Sequence, residues 1–398
     1  INYRDYSGYW AYSNVGLIGK NAPYTGTFDG NGAEITADCI LFAETDGAVI
    51  KNVNINSHVY NEKSAGIVQV ANNTSIDNCD IYISLNYGIC GGIAAEAYNS
   101  TITNCCVTAT GYIYEFGGIV YSTSGNTVIA NCVLKNSGVN VTSLYGGIVG
   151  EACGKTEIYN CANSDIFNSR RSGGIVSYAE MSGLTLENNM YYEENDCYDV
   201  YYDIEKDECI SQMVDKDSTV SEQDAEGLYI PAKLNEYVRA NPNQVKGTTL
   251  KTWGVDYNNE PCFANNKNPE FYLIKQSGVK ADTLINGNYA RGALPGYKVT
   301  VCGIADGAVV AVTDVNGNDI KLTTNENGYE FTMPECDVTV SAVLDTGISE
   351  TTVIDGKTYV VVKNASDFVK AVKSIADGNK RIKRIYSREY KSYGRGIG

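Results

Sequence analysis

One short phrase recurs through the first half of this chain, and its spacing restricts the fold more than any other feature. A small residue, Gly and Ile stand together at Ala65-Gly66-Ile67, Gly91-Gly92-Ile93, Gly117-Gly118-Ile119, Gly146-Gly147-Ile148 and Gly173-Gly174-Ile175, at intervals of 26, 26, 29 and 27 residues. A second element keeps the same period: Asn78-Cys79, Asn104-Cys105, Asn131-Cys132, Asn160-Cys161 and Asn188-Asn189, with Asn52-Val53 as an earlier, degenerate copy. The stretches between them, such as STITNCCVTA and NTVIANCVLK, place apolar residues at every second position, which is the strand pattern. No segment from 30 to 190 carries a 3.6-residue period.

A unit of this length with two or three short strands and no helix cannot cover its own apolar face, so it must stack on its neighbours. Stacking sets equivalent residues about 4.8 Å apart. The sequence therefore predicts a parallel β-solenoid over residues 25–190, with Ile67, Ile93, Ile119, Ile148 and Ile175 in one interior column. The Gly pairs suit sharp corners that need either positive φ or close backbone approach.

On these residues the chain resembles a known family. GGIVG followed by TEIYNC is similar to the GLUG-type repeat of bacterial surface and secreted proteins. YTGTFDGNGAEIT (24–36) resembles the segment that opens such β-helices, and residues 232–263, with Leu234-Asn235 and Trp253, resemble the segment that closes them. The resemblance implies a right-handed β-helix on a bacterial cell surface. The expected organisation is all-β: a β-helix over 1–263, a linker and small Ig-like β-sandwich over 264–345, and over 346–398 a strand, a capping helix and the start of a following β-helix unit. In the sandwich, Asn316-Gly317 and Asn327-Gly328 are hairpin signals, and FTMPECDVTVSA resembles bacterial Ig-like modules. Some of these carry a Lys-Asn isopeptide bond, but the last strand, 337–344, has no Asn to form one.

Charge narrows the partners. With 47 acidic and 31 basic residues the net charge is −16, which repels nucleic acid and anionic lipid. No apolar run approaches the roughly 18 residues that cross a bilayer, so membrane insertion is not expected. Thirteen cysteines leave at least one thiol unpaired within the chain. Cys79, Cys105, Cys132 and Cys161 share a rung position; CxxC pairs are missing and His58 is the lone histidine, so the column reads as reduced, metal-free thiols used as small apolar groups. Cys302 and Cys336 leave a disulfide and two free thiols as open alternatives. Beside the cysteines, the Asn column is expected to bond amide to amide along the stack.

Residues 193–226 hold 13 acidic residues against two lysines. No D-x-D-x-D-G loop occurs there, so this region reads as a solvated, partly irregular connection rather than a calcium site. Catalysis has no anchor: charged residues recur at no fixed rung position, Arg170 and Arg171 lie in a loop, and H-E-x-x-H and G-x-S-x-G are both missing. No catalytic, metal or cofactor residue is therefore predicted. Tyrosine is abundant at 31, and Tyr87, Tyr98, Tyr112, Tyr114, Tyr121, Tyr145 and Tyr178 fall near rung edges. There they either stack on sugars and protein partners or cover the solenoid's shoulders.

The expected function is that of an extracellular structural and adhesive bacterial surface protein binding a host or environmental glycan or surface protein, with a polysaccharide lyase or glycosidase as the alternative. The chain opens on Ile1, without an initiator Met, and reads as a piece of a longer polypeptide. Residues 385–393 (IYSREYKSY) repeat residues 1–9 (INYRDYSGY), and residues 366–378 carry a capping-helix pattern. Neighbouring copies stacked end to end in a tandem fibre follow as the expected partner.

Overall fold

A computed structural model describes residues 2–3, 18–59, 63–135, 138–164, 171–192, 198–210, 212–215, 218–220, 228–265, 267–278, 281–304, 308–344, 351–354, 357–362 and 385–387. Two compact units divide them: 1–273 with 290–294, and 274–289 with 295–398. The first is built on a parallel β-solenoid of about seven turns.

Each coil lays down four strands in succession. In one coil these are Ser75–Asp77, Asp80–Asn86, Ile89–Gly91 and Ala94–Tyr98. Each pairs in parallel with its equivalents one coil before and after, so Ile76 lies between Ile50 and Ile102, and Ile81 between Ile55 and Val107. The predicted column is present: Ile67, Ile93, Ile119, Ile148 and Ile175 are all fully buried, and the main-chain N–H of each of the first four donates to the next Ile carbonyl at 2.8–3.1 Å. Burying one such side chain contributes about 1.5–3 kcal/mol, too little to offset the ordering of 26 residues at about 1 kcal/mol or more each. Repetition supplies the missing contacts and the shared ladder bonds.

Of the two uses predicted for the Gly pairs, close approach is the one observed. A methyl group on Gly146 would lie 1.7 Å from the Val149 carbonyl oxygen, and one on Gly117 2.0 Å from that of Val120. The chain folds back on itself at this corner, and at Gly117 and Gly146 only hydrogen fits.

Positive φ belongs instead to two other turns. One carries Asn52, Asn78, Asn104, Asn131, Asn160 and Asn188, all at φ 52–56°. Their amides form the predicted ladder: Asn188 Nδ2 donates to Asn160 Oδ1 (2.7 Å), Asn160 to Asn131 (2.7 Å), Asn131 to Asn104 (2.8 Å), and Asn104 to Asp77 Oδ1 (2.8 Å). A shorter run goes from Asn78 through Asn52 to Asp29.

The closing segment is a lateral strap along this ladder. Asn104 and Asn131 also donate to the carbonyls of Thr249 and Lys251 (3.1 and 3.0 Å), Lys251 N–H donates to Asn104 Oδ1 (2.9 Å), and Trp253 Nε1 donates to Asn131 Oδ1 (2.7 Å). Trp253 is fully buried with Leu250, Val245 and the helix residues Ile230, Leu234 and Tyr237, against Cys106, Ala130, Val133, Ala162 and Met190 of the solenoid wall. Asn235, on the helix Tyr229–Ala240, accepts from Trp253 N–H and donates to its carbonyl, both at 2.7 Å.

The acidic region departs from expectation. Tyr198–Asp203 is a solenoid strand, and three of its neighbourhood's carboxylates are buried. Asp199 stands where the Ile column would continue, between the Tyr198/Gly173 and Val200/Val176 pairs, and Asp203 lies opposite Ala179. Asn189 follows Cys161, and Asp215 Oδ2 accepts its N–H at 2.7 Å. Asp199 Oδ2 accepts the N–H groups of Val214 and Asp215 at 2.6 Å, and Asp203 Oδ1 those of Glu205 and Lys206. Three apolar columns thus end on carboxylates that bind main-chain donors otherwise left unsatisfied. Local charge count alone suggests solvation; these particular acids have buried partners.

The second unit holds a sandwich-like pair of sheets with alternating buried residues, among them Val299, Val301, Val310, Val312, Phe331, Val338 and Val340. Asp282–Ile285 and Asn288–Tyr289 form a tight hairpin through Asn286 and Gly287, both at positive φ. Thr351–Ile354, Lys357–Val362 and Ile385–Ser387 form a further three-stranded piece. The predicted capping helix at 366–378 lies outside the described residues.

Candidate functional site

An exposed aromatic ledge occupies one solenoid corner. Tyr87 and Gly88 follow the strand Asp80–Asn86 with φ of +75° and +93°. An aromatic residue in the left-handed region costs about 1–2 kcal/mol, and such strain concentrates where a side chain is being presented. Tyr87 N–H donates to the Tyr112 carbonyl on the next rung (2.9 Å), and Tyr114 N–H to the Gly88 carbonyl (2.9 Å). Ladder bonds therefore hold three tyrosines on adjacent rungs, with Tyr87 74%, Tyr112 65% and Tyr114 53% exposed. Tyr82, 43% exposed, lies further back on the Tyr87 strand.

A polar cluster forms beside the Gly corner. Glu44, Glu96 and Glu151 share one register position, in the order Glu44, Val70, Glu96, Ser122, Glu151. This corrects the expectation that charge recurs nowhere: it recurs on every second rung. Lys63 and Glu115 occupy another register position, separated by Ile89. Lys63 donates to Glu96, as does the Tyr98 hydroxyl, and the Tyr121 hydroxyl donates to Glu115 at 2.6 Å. Burial works against ionisation of Glu96, yet the bonds from Lys63 and Tyr98 hold it below the usual carboxylate range. Its bond to Glu96, reinforced by burial, pushes the Tyr98 phenol up to about 12. Burial and the Glu115 bond raise Tyr121 far beyond an ordinary phenol, so it serves as a donor rather than a phenolate. Burial also raises Glu151; the Tyr121 bond and Lys63 charge oppose this, and the Glu115 charge adds to it.

The predicted tyrosines separate into three settings. Tyr87, Tyr112 and Tyr114 are on the ledge; Tyr98 and Tyr121 serve the carboxylates; Tyr145 is buried in the core, and Tyr178 packs edge-on against Tyr202 at 4.9 Å. Covering the shoulders is thus the role of some and display that of others. Arg171 opens the strand Arg171–Ala179 instead of lying in a loop, and Arg170 is outside the described residues. Cys79, Cys105, Cys132 and Cys161 are buried free thiols, and Cys302 is a free thiol at a partly exposed position, so it forms no disulfide with Cys336. Burial pushes Cys79, Cys105 and Cys132 well above the ordinary thiol value, which keeps them protonated.

The fold defines a parallel β-solenoid protein with an aromatic corner and a carboxylate-lined wall. No family model matches the sequence, and no curated protein matches it.

Proposed function

We propose that this is an extracellular, surface-exposed structural and adhesive protein that binds carbohydrate on the Tyr87, Tyr112 and Tyr114 ledge. The observation that carries this reading is the strained, 74% exposed Tyr87 on a rung next to two further exposed tyrosines. Flat aromatic faces on rungs roughly 4.8 Å apart suit the apolar faces of pyranose rings along an extended glycan. Pectic and mucin-type glycans are the first ligands to test by isothermal titration calorimetry. Tyr87→Ala and Tyr112→Ala should each weaken binding about five- to tenfold, on the scale of one aromatic contact. Unchanged affinity in both variants would remove the ledge from the reading.

The alternative, a glycan-cleaving enzyme, draws support from one feature: Tyr121 hydrogen-bonded to Glu115 beside Glu151, whose carboxyl burial raises above its ordinary value. New reducing ends or unsaturated products, lost in Glu151→Gln, would favour it over simple adhesion.

A further inference from the structure

The repeated sequence at 1–9 and 385–393 gains meaning from where the structure places it. At an offset of 384, Ile385, Arg388, Tyr390 and Tyr393 match Ile1, Arg4, Tyr6 and Tyr9. Both segments contribute a strand to a parallel ladder, but on different partners. Asn2–Tyr3 pairs with Glu34–Ala37, Asn2 opposite Thr36 and Tyr3 opposite Ala37, adding a layer ahead of the first solenoid strand on that face. Ile385–Ser387 pairs with Lys357–Val362: Ile385 opposite Val360, Tyr386 opposite Val361 and Ser387 opposite Val362. Among the described residues, neither strand has a second partner strand. Superposed by the sequence offset, they become one central strand with Val361 and Val362 on one side and Thr36 and Ala37 on the other.

The far end of the solenoid is a poor candidate for that missing partner. Its columns close on Asp199, Asp203 and Asp215, already engaged by the chain's own N–H groups, and stacking an apolar rung on buried carboxylates is costly. A β-branched strand whose edge already takes the equivalent segment Ile385–Ser387 is the better match, and Lys357–Val362 (KTYVVV) is that strand.

We propose that the hairpin formed by Thr351–Ile354 and Lys357–Val362 caps the first rung of a second copy of this unit, in tandem, with Val361 and Val362 paired to Asn2 and Tyr3 of that copy. The partner is the same sequence, and the joint is a completed β-ladder rather than rung-on-rung stacking of two solenoids. This deepens the structural half of the proposed function and does not depend on the tyrosine ledge.

The test is a chain in which residues 1–384 run directly into a second complete copy. Amide hydrogen exchange is followed by mass spectrometry on peptides across the junction, which differ from those at the free N-terminus. Asn2 and Tyr3 of the second copy should exchange at least about tenfold slower than Asn2 and Tyr3 of the first. Ladder N–H groups alternate in direction along a strand, so Val360→Pro and Val361→Pro in the first copy are made separately. One of the two should abolish the slowing while exchange in Asp80–Asn86 stays unchanged. Equal exchange in both copies, or slowing that survives both prolines, overturns the proposal. Glycan titration of the same two-copy chain reads the ledge separately, so unchanged glycan affinity in Tyr87→Ala and Tyr112→Ala with the junction still protected would count against adhesion alone.

Discussion

Two turns of each coil need a left-handed residue, and they meet the need differently. The turn before the long face carries Asn at 52, 78, 104, 131, 160 and 188; the turn before the shortest strands carries Gly47, Asn73, Asn99, Gly125 and Gly154, all at positive φ. Backbone geometry is alike at both, so it does not account for the difference. Asn104 and Asn131 have ladder partners above and below and a strap alongside, whereas Asn99 is exposed and its side-chain oxygen accepts the Asn126 N–H at 3.0 Å. Glycine suffices where only φ matters; asparagine persists where its amide has partners on both sides.

The sharpest way to break this account is Asn131→Ala. It loses the left-handed tolerance and strands the donors of Asn160 and Trp253, so urea denaturation should show a loss of about 4 kcal/mol. Asn131→Gly restores φ but not the bonds and should lose about 3 kcal/mol, the gap between the two isolating the backbone term. If glycine matches wild type, the ladder contributes nothing.

Acid should strengthen the last ladder turn and leave the glycine turns unaffected. Burial, assisted by the Asp199 charge and opposed by hydrogen bonds from Asn188 and Asn189, raises Asp215 from an ordinary 3.8 to about 6. Because the folded value lies above the unfolded one, this contribution is fully present below about pH 4 and is lost as pH rises through about 6. Asp215→Asn should therefore stabilise the protein at pH 7.5 by on the order of 2 kcal/mol and flatten the pH dependence of its melting temperature. Trp253→Phe removes the indole donor to Asn131 together with some buried ring volume; at least about 1 kcal/mol should be lost, with faster amide exchange confined to the strap. Asn99→Gly, at the less demanding turn, should cost about 0.5 kcal/mol or less by the same urea assay.

The solenoid was legible in the sequence because Gly-Ile and Asn-Cys return on nearly every rung, and a fixed period exposes whatever recurs that often. Glu44, Glu96 and Glu151 escaped because they alternate with Val70 and Ser122, so their interval is two coils. The strap escaped for another reason: Trp253 meets Asn131 across 122 residues, and no local pattern encodes that contact. Asp199, Asp203 and Asp215 were hidden inside a high acidic count, where composition suggests water and register assigns the interior. Asn286-Gly287 carries the same hairpin signature as Asn316-Gly317 and Asn327-Gly328, and it joins Asp282–Ile285 to Asn288–Tyr289. Of the candidate site, residue type was readable in the tyrosines, but which of them face solvent depended on a corner at Tyr87 that only backbone geometry reveals.

The asparagine ladder also gives the solenoid a direction. Every amide donates toward the N-terminal end, from Asn188 to Asn104, and the run finishes on the Asp77 carboxylate; the shorter run from Asn78 finishes on Asp29. Aligned side-chain dipoles in series polarise one another, and the donor end of each series meets an anion, as the N-terminus of a helix does. The hydrogen bond from Asn52 lowers the Asp29 carboxyl accordingly, with the Asn31 N–H adding to it. A coil inserted in the opposite sense would face donor to donor, so the ladder is an electrical polarity that admits one order of assembly.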